Sequence, residues 1–154
     1  MAQRLGLSVI LGVLNGPNLN LLGTREPHLY GTTTLPELLA RLDAVAGELG
    51  VTLRSAQANG EGALIDQLHA WRQEVRGVVV NAGAYTHTSL ALRDAFAATA
   101  LPYVEVHLTN IYAREPERRH SHLAGGALAS IVGLGVAGYE YALRGLVDTL
   151  RRSV

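Results

Sequence analysis

Apolar residues fall into five short runs separated by longer stretches in which apolar and polar positions recur at helical spacing. The first run, residues 9–14, stops at Asn15-Gly16-Pro17-Asn18. It predicts a buried strand ending in a turn whose amides and carbonyls face an open crevice. Thr32, Thr33 and Thr34 then offer N-cap hydroxyls, Pro36 and Glu37 suit a first helical turn, and Leu35, Leu38, Leu39, Leu42, Val45, Ala46 and Leu49 trace one helix face up to Gly50. Residues 51–56 alternate as a strand and lead into a polar turn over 57–62. A second helix is expected over 61–74, with Leu64, Ile65, Leu68 and Trp71 on one face. Residues 77–81, Gly-Val-Val-Val-Asn, are unbroken and β-branched, as strands covered on both faces are. A small-residue loop over 81–89 precedes a helix to about residue 98. Residues 102–107 form a fourth strand, 129–132 a fifth, and 137–151 a closing helix.

Strands alternating with helices predict one α/β domain spanning residues 1–154, an open five-stranded parallel sheet between two helix layers. Ligands of such sheets lie outside the carboxyl ends of the strands, where the strand order reverses. Those ends carry Asn18, Asn59 with Glu61, Asn81 with His87, and His107 with Thr109, so polar groups converge on one crevice. Between Gly23 and Gly31 runs a loop with Arg25 and Tyr30 five residues apart. It reads as a lid hinged at its two glycines.

Charge and composition narrow the partners. The 13 basic residues balance 13 acidic ones, which argues against nucleic acid and against a polybasic membrane face. No apolar run reaches the ~18 residues of a membrane span, and the N-terminus shows no signal-peptide design, so the expected location is the cytoplasm. There is no cysteine, and all 13 basic residues are arginine. Thiolate nucleophiles, zinc–thiolate sites and side-chain imines are thereby excluded. Arginine does not serve as a base at neutral pH.

Tyrosine is a weak base with a pKa of ~10, but an arginine held against it favours the phenolate. Tyr30 beside Arg25 can then take a proton that an adjacent carbonyl has acidified, while a histidine across the crevice donates one. This is acid–base elimination through an enolate, without a covalent intermediate. Non-catalytic alternatives fit poorly. A phosphoacceptor receiver needs acidic residues at the first strand's end and a lysine later. A flavin carrier needs a Ser/Thr/Gly phosphate loop where Pro17 and Leu19 stand. His120 and His122 form an H-x-H pair without a carboxylate cluster beside it, so neither a metal nor another cofactor is expected.

The stretches Asn15-Gly16-Pro17-Asn18-Leu19-Asn20-Leu21-Leu22-Gly23-Thr24-Arg25-Glu26-Pro27, Tyr30-Gly31, Asn81-Ala82-Gly83-Ala84-Tyr85-Thr86-His87-Thr88-Ser89, Glu105-Val106-His107-Leu108 and Arg118-Arg119-His120-Ser121 closely resemble the type II 3-dehydroquinate dehydratases, in the same order, from about residue 9 to residue 142. The resemblance implies a flavodoxin-like three-layer sandwich, dehydration of 3-dehydroquinate to 3-dehydroshikimate in the shikimate pathway, and assembly as a homododecamer. It implies Tyr30 as base, Arg25 stabilising its phenolate, His107 as acid, and Asn18 steadying the enolate through a water. The amides of Leu108 and Thr109 would cradle the carboxylate, and Asn81, His87 and Arg118 would meet the ring hydroxyls. Asp94 would reach the site of a neighbouring subunit. Glu61 stays open between a helix-opening dipole residue and support behind the site, and Asn15 is expected to satisfy turn backbone. The chain departs from the family pattern at Ala58, Thr109, Glu117, His122 and the 124–126 stretch. The first removes a hydroxyl near Glu61, and Glu117 replaces an aromatic beside Arg118. The sister class runs the same reaction through a lysine imine, a route closed to a chain without lysine.

Overall fold

The computed structural model describes residues 8–153; residues 1–7, where no signal-peptide design is read, lie outside it. Five strands, β1 (Ile10–Asn15), β2 (Thr52–Gln57), β3 (Val78–Asn81), β4 (Tyr103–His107) and β5 (Ala129–Val132), form one sheet in the order β2-β1-β3-β4-β5. Every pairing is parallel. The order reverses between β1 and β3, which places the expected crevice outside their carboxyl ends.

Five helices complete the fold: α1 (Pro27–Tyr30), α2 (Leu35–Leu49), α3 (Glu61–Trp71), α4 (Leu90–Thr99) and α5 (Ala137–Arg152). Alternation along each strand sends residues to two separate cores. Leu11, Val13, Val79, Val104 and Val106 pack with Leu38 and Leu42 of α2 and Leu143 and Leu146 of α5. Leu14, Val78 and Val80 pack with Leu64, Leu68 and Trp71 of α3 and Leu92 and Phe96 of α4. The arrangement is the three-layer α/β sandwich expected from the sequence. The central strands β3 and β4 are buried throughout, whereas the edge strands β2 and β5 are partly exposed, as their weaker apolar runs require.

Helix starts follow the sequence signals closely. Thr34 Oγ1 accepts from the Glu37 amide while Glu37 reaches back to the Thr34 amide, a capping box, and Gly50 closes α2 in the left-handed region. Ser89 Oγ accepts from the Leu92 amide at 2.9 Å and opens α4. The structure departs from expectation in three places. α3 ends at Trp71 rather than at residue 74, where turns from Trp71 O to the amides of Glu74 and Val75 take over. The loop before α4 holds a 3-10 turn, Gly83–His87. The lid contains one turn of helix, α1, with Pro27 at its first position, where a missing N–H costs nothing. Gly23 and Gly31 bracket that lid with φ of 91° and 80°.

Candidate active site

The crevice begins where β1 ends. A Cβ at Gly16 would lie 2.4 Å from the carbonyl oxygen of Ala82, so only glycine lets the turn pass this close to the end of β3. The Gly16 amide donates to Asn81 O at 2.8 Å and prolongs the β1–β3 pairing into the turn. Pro17 and Asn18 follow on the crevice wall. Asn18 sits in the left-handed region, φ 68°, which asparagine tolerates better than most residues carrying a Cβ.

Nine of the expected site residues line this single crevice: Asn18, Arg25, Tyr30, Asn81, His87, His107, Leu108, Thr109 and Arg118. Asp94 and Glu61 do not. Asp94 is on α4 with its side chain 74% exposed, 3.9 Å from the neighbouring Arg93, and borders a different groove. Within one chain it cannot serve the crevice. Glu61 opens α3, where its charge suits the helix N-terminus. Asn15 also differs from expectation. It is fully buried, and its Oδ1 accepts the Tyr139 hydroxyl at 2.6 Å, a tie between β1 and α5 rather than within the turn.

Tyr30 is half-buried on the lid. The guanidinium of Arg25 lies over its ring, 5.0 Å from the centroid. The group that reaches its hydroxyl is one the sequence reading did not single out: Arg114 Nη1 donates to Tyr30 Oη at 3.0 Å and contacts Thr109 Oγ1 at 3.4 Å. Glu115 steers both remaining arginines of this wall, 2.6 Å from Arg118 Nε and 3.7 Å from Arg114 Nε. Its own backbone and the Arg118 guanidinium hold the Glu115 carboxyl below the usual range. Three guanidinium groups thus edge the crevice, suited to an anion.

The opposite wall is the end of β4. His107 Nε2 lies 2.7 Å from Glu105 Oε1, and the pair is buried. Alternation along β4 places both side chains on one sheet face. Glu105 also accepts from Thr86 Oγ1 at 3.0 Å, Ser121 Oγ at 2.6 Å and Ser130 Oγ at 3.3 Å. Burial alone would push its carboxyl up, but the hydrogen bonds from His107, Ser121 and Thr86 outweigh burial and hold it below the ordinary value. Glu105 is therefore ionised at neutral pH and accepts only, so His107 Nε2 carries a proton and Nδ1 is the ring's other exchangeable position. His87 stacks on His107 at 6.1 Å between centroids. Burial lowers its pKa, against the hydrogen bond to its ring. A carbonyl can only accept, so its Nδ1 donates to His120 O at 2.7 Å and Nε2 is left as an acceptor.

Just past β4, neither the Leu108 nor the Thr109 amide finds a backbone acceptor among the described residues. Also among the described residues, no three His, Cys, Asp or Glu side chains are grouped to hold a metal ion, and no helix is long and apolar enough to cross a membrane. His120 and His122 meet edge to face at 4.7 Å. Two residues that touch candidate site groups are not singled out by the sequence, Arg114 on Tyr30 and Glu105 on His107. A signal existed for Glu105, a carboxylate two residues before a histidine in an apolar strand.

Comparison with known proteins bears on this geometry. The family model described as Dehydroquinase class II matches residues 9–147. A 3-dehydroquinate dehydratase of Gemmatimonas aurantiaca is 70% identical over 142 residues, covering 92% of this chain and 93% of that one. A catabolic 3-dehydroquinase of Aspergillus clavatus is 52% identical over 139 residues, 90% of this chain and 91% of its own. The crystal structure of a type II dehydroquinase from Propionibacterium acnes superposes with a TM-score of 0.87 at 41% identity, covering 92% of this chain and 98% of that one.

Proposed function

Because the chain belongs to the class II dehydroquinases and is thus an enzyme that dehydrates 3-dehydroquinate, we propose a mechanism in which Tyr30 is the base and His107 the acid. The observation that carries it is the pairing of supports across one crevice, a tyrosine hydroxyl bonded to Arg114 at 3.0 Å and a histidine bonded to a buried carboxylate at 2.7 Å.

The phenolate of Tyr30, its charge met by Arg114 at the oxygen and by Arg25 over the ring, removes a proton from the carbon beside the ketone. The electron pair left behind forms an enolate, with Asn18 steadying the oxygen through a water. As the ketone re-forms, that pair makes the new C=C bond and the C–O bond on the far side breaks. His107, protonated on both nitrogens, keeps Nε2–H on Glu105 and gives the Nδ1 proton to the departing hydroxyl, which leaves as water on the opposite face of the ring, an anti elimination yielding 3-dehydroshikimate. Nothing binds the substrate covalently. The two free amides at Leu108 and Thr109 suit the substrate carboxylate, as donors aimed at an anion do. Asn81, neutral His87 and Arg118 hold the ring hydroxyls. Asp94 acts, if the chain assembles as a homododecamer, in the crevice of a neighbouring copy. The route uses no cofactor and works in the cytoplasm.

The test follows the conjugated enone product in the ultraviolet with 3-dehydroquinate as substrate. Turnover should survive borohydride, since no lysine exists to form a reducible imine. Tyr30→Phe should lose ~10²–10⁴ of kcat, the usual worth of a positioned base. A wild-type rate in that variant would assign the base elsewhere.

A further inference from the structure

We propose that Asn59 is a positioning residue for Asn18, and that with Gln57 it forms a polar brace holding the β1 turn in the shape that aims Asn18 at the crevice. The inference rests on the reading of Asn18 given above.

Neither Gln57 nor Asn59 lines the crevice, yet their amides are wired to the turn in a fixed sense. Gln57 Nε2 lies 3.1 Å from the carbonyl oxygen of Gly16. A carbonyl only accepts, so this atom must be the amide nitrogen. The same nitrogen lies 3.0 Å from the Asn59 side chain, which must then present its oxygen. The backbone N–H of Asn18, 3.0 Å from that oxygen, demands the same orientation independently. One Asn59 oxygen thus accepts from both Gln57 and Asn18, while the Asn59 carbonyl is secured by the Tyr85 hydroxyl at 3.1 Å. The Gln57 amide nitrogen also lies 3.4 Å from Asn20 Oδ1, so its two hydrogens are shared between the β1 turn, at Gly16 and Asn20, and Asn59.

The brace bears on a place where the backbone is in the left-handed region. Asn18 holds φ 68° and ψ −3°, a conformation unfavourable for any residue with a Cβ. Its own side chain caps nothing in the following turn, so the support comes from β2 instead. Without the acceptor on Asn59 the Asn18 amide loses its partner, and the turn is free to relax toward ordinary φ and swing the Asn18 side chain off its line. A shift of this kind costs rate more than affinity, because the enolate oxygen carries its charge only after proton removal.

The two amides call for opposite chemistry, and this makes the test specific. Asn59 acts as an acceptor, so Asn59→Asp keeps its function and Asn59→Ala removes it. Gln57 acts as a donor, so the equally isosteric Gln57→Glu destroys its function. Steady-state rates on the full-length enzyme with 3-dehydroquinate should show Asn59→Ala down about tenfold in kcat with KM changed less than about threefold. Gln57→Glu should fall similarly, and Asn59→Asp should return to within about threefold of wild type. Asn59→Ala placed on Asn18→Ala should add almost nothing to the loss, since both act through one group. The proposal is overturned if Asn59→Ala keeps the wild-type kcat while Asn18→Ala does not, or if Asn59→Asp is as poor as Asn59→Ala. A wild-type kcat in Asn18→Ala would instead overturn the role given to Asn18 itself, and the brace with it. Should Asn59→Ala fail to fold, the contrast between Asn59→Asp and Gln57→Glu decides.

Discussion

His107 and Tyr30 face the same crevice from supports of opposite kinds. His107 ends a central strand, is almost fully buried, and is bonded to a carboxylate that three hydroxyls hold from other segments. Tyr30 ends a single helical turn between two glycines of positive φ, and what steadies it are arginine side chains. The His107 side, the proposed acid side, is thus part of the folding core, while the Tyr30 side, the proposed base side, is a short turn whose ring packs at the core's edge and whose hydroxyl is held by a guanidinium. Changes on the two sides should separate accordingly: on the base side activity falls and stability stays, on the acid side both fall together.

The largest effect tests the base side. Tyr30→Phe, the variant already described, removes a hydroxyl that no core residue depends on, so its melting temperature should stay within about 2 °C of wild type. A large drop in melting temperature would erase the contrast. Next comes Glu105→Gln. The amide offers only one acceptor oxygen and turns two donors toward His107 and the hydroxyls, leaving buried groups unsatisfied at about 1–3 kcal/mol. That corresponds to about 2–12 °C in melting temperature for a chain of this size, with a fall in kcat of roughly 10-fold or more. Normal stability in Glu105→Gln would show that the knot is not part of the core.

Arg114→Ala sharpens the base side. Losing the guanidinium at the Tyr30 hydroxyl should lower kcat roughly tenfold at unchanged stability, and Arg114→Lys should restore little, because a single ammonium nitrogen cannot hold Tyr30 and Glu115 together as Nη1 and Nε of the guanidinium do. If Arg25→Ala cost activity and Arg114→Ala none, the ring-face contact would be the one that matters.

The smallest effect is on stability against pH. His87 is held neutral, burial keeping its folded pKa below the ordinary histidine value of about 6.5. Below that pH the unfolded chain takes up the proton first, so stability falls as pH drops. Glu105 is depressed below 4.5. Its contribution is complete above that value and is lost as pH falls further, through the folded pKa. Thermal melts should be flat near neutrality, decline below about pH 6.5 and steepen below about pH 4.5, the last phase being blunted in Glu105→Gln. A melting temperature that rose on acidification from pH 7 to 4 would contradict both assignments.

Much of this fold is legible in the amino-acid sequence. The buried strands announce themselves because strands covered on both faces need no polar positions, as 78–80 show. The edges of the sheet are less plain: β2 mixes Arg54 and Ser55 into its run, and its bounds fall one residue later than read. α1 is hidden in the sequence because four residues are too few to display a helical period, although Pro27 after Glu26 is a first-turn signal. The site was legible wherever a polar residue closes a strand or sits in the turn after it, as Asn81 and His107 do at the ends of β3 and β4 and Asn18 does beyond β1. Arg114 was not, because nothing in a run of three arginines tells which one reaches the Tyr30 hydroxyl; that depends on Glu115, which engages the Nε of Arg118 at 2.6 Å and leaves Arg114 Nη1 to Tyr30. Asp94 lies outside what one chain can show, since any partner in a crevice would belong to another copy.

The most direct test of the two-sided account is a crystal structure with 3-dehydroquinate or a stable analogue bound. Tyr30 Oη should lie about 3–3.5 Å from the carbon beside the ketone, a near-attack distance, with Arg114 still on that oxygen and His107 at the leaving hydroxyl on the other face of the ring. A complex in which the Tyr30 hydroxyl points to bulk water, or in which Tyr30 and His107 approach the same face, would contradict it.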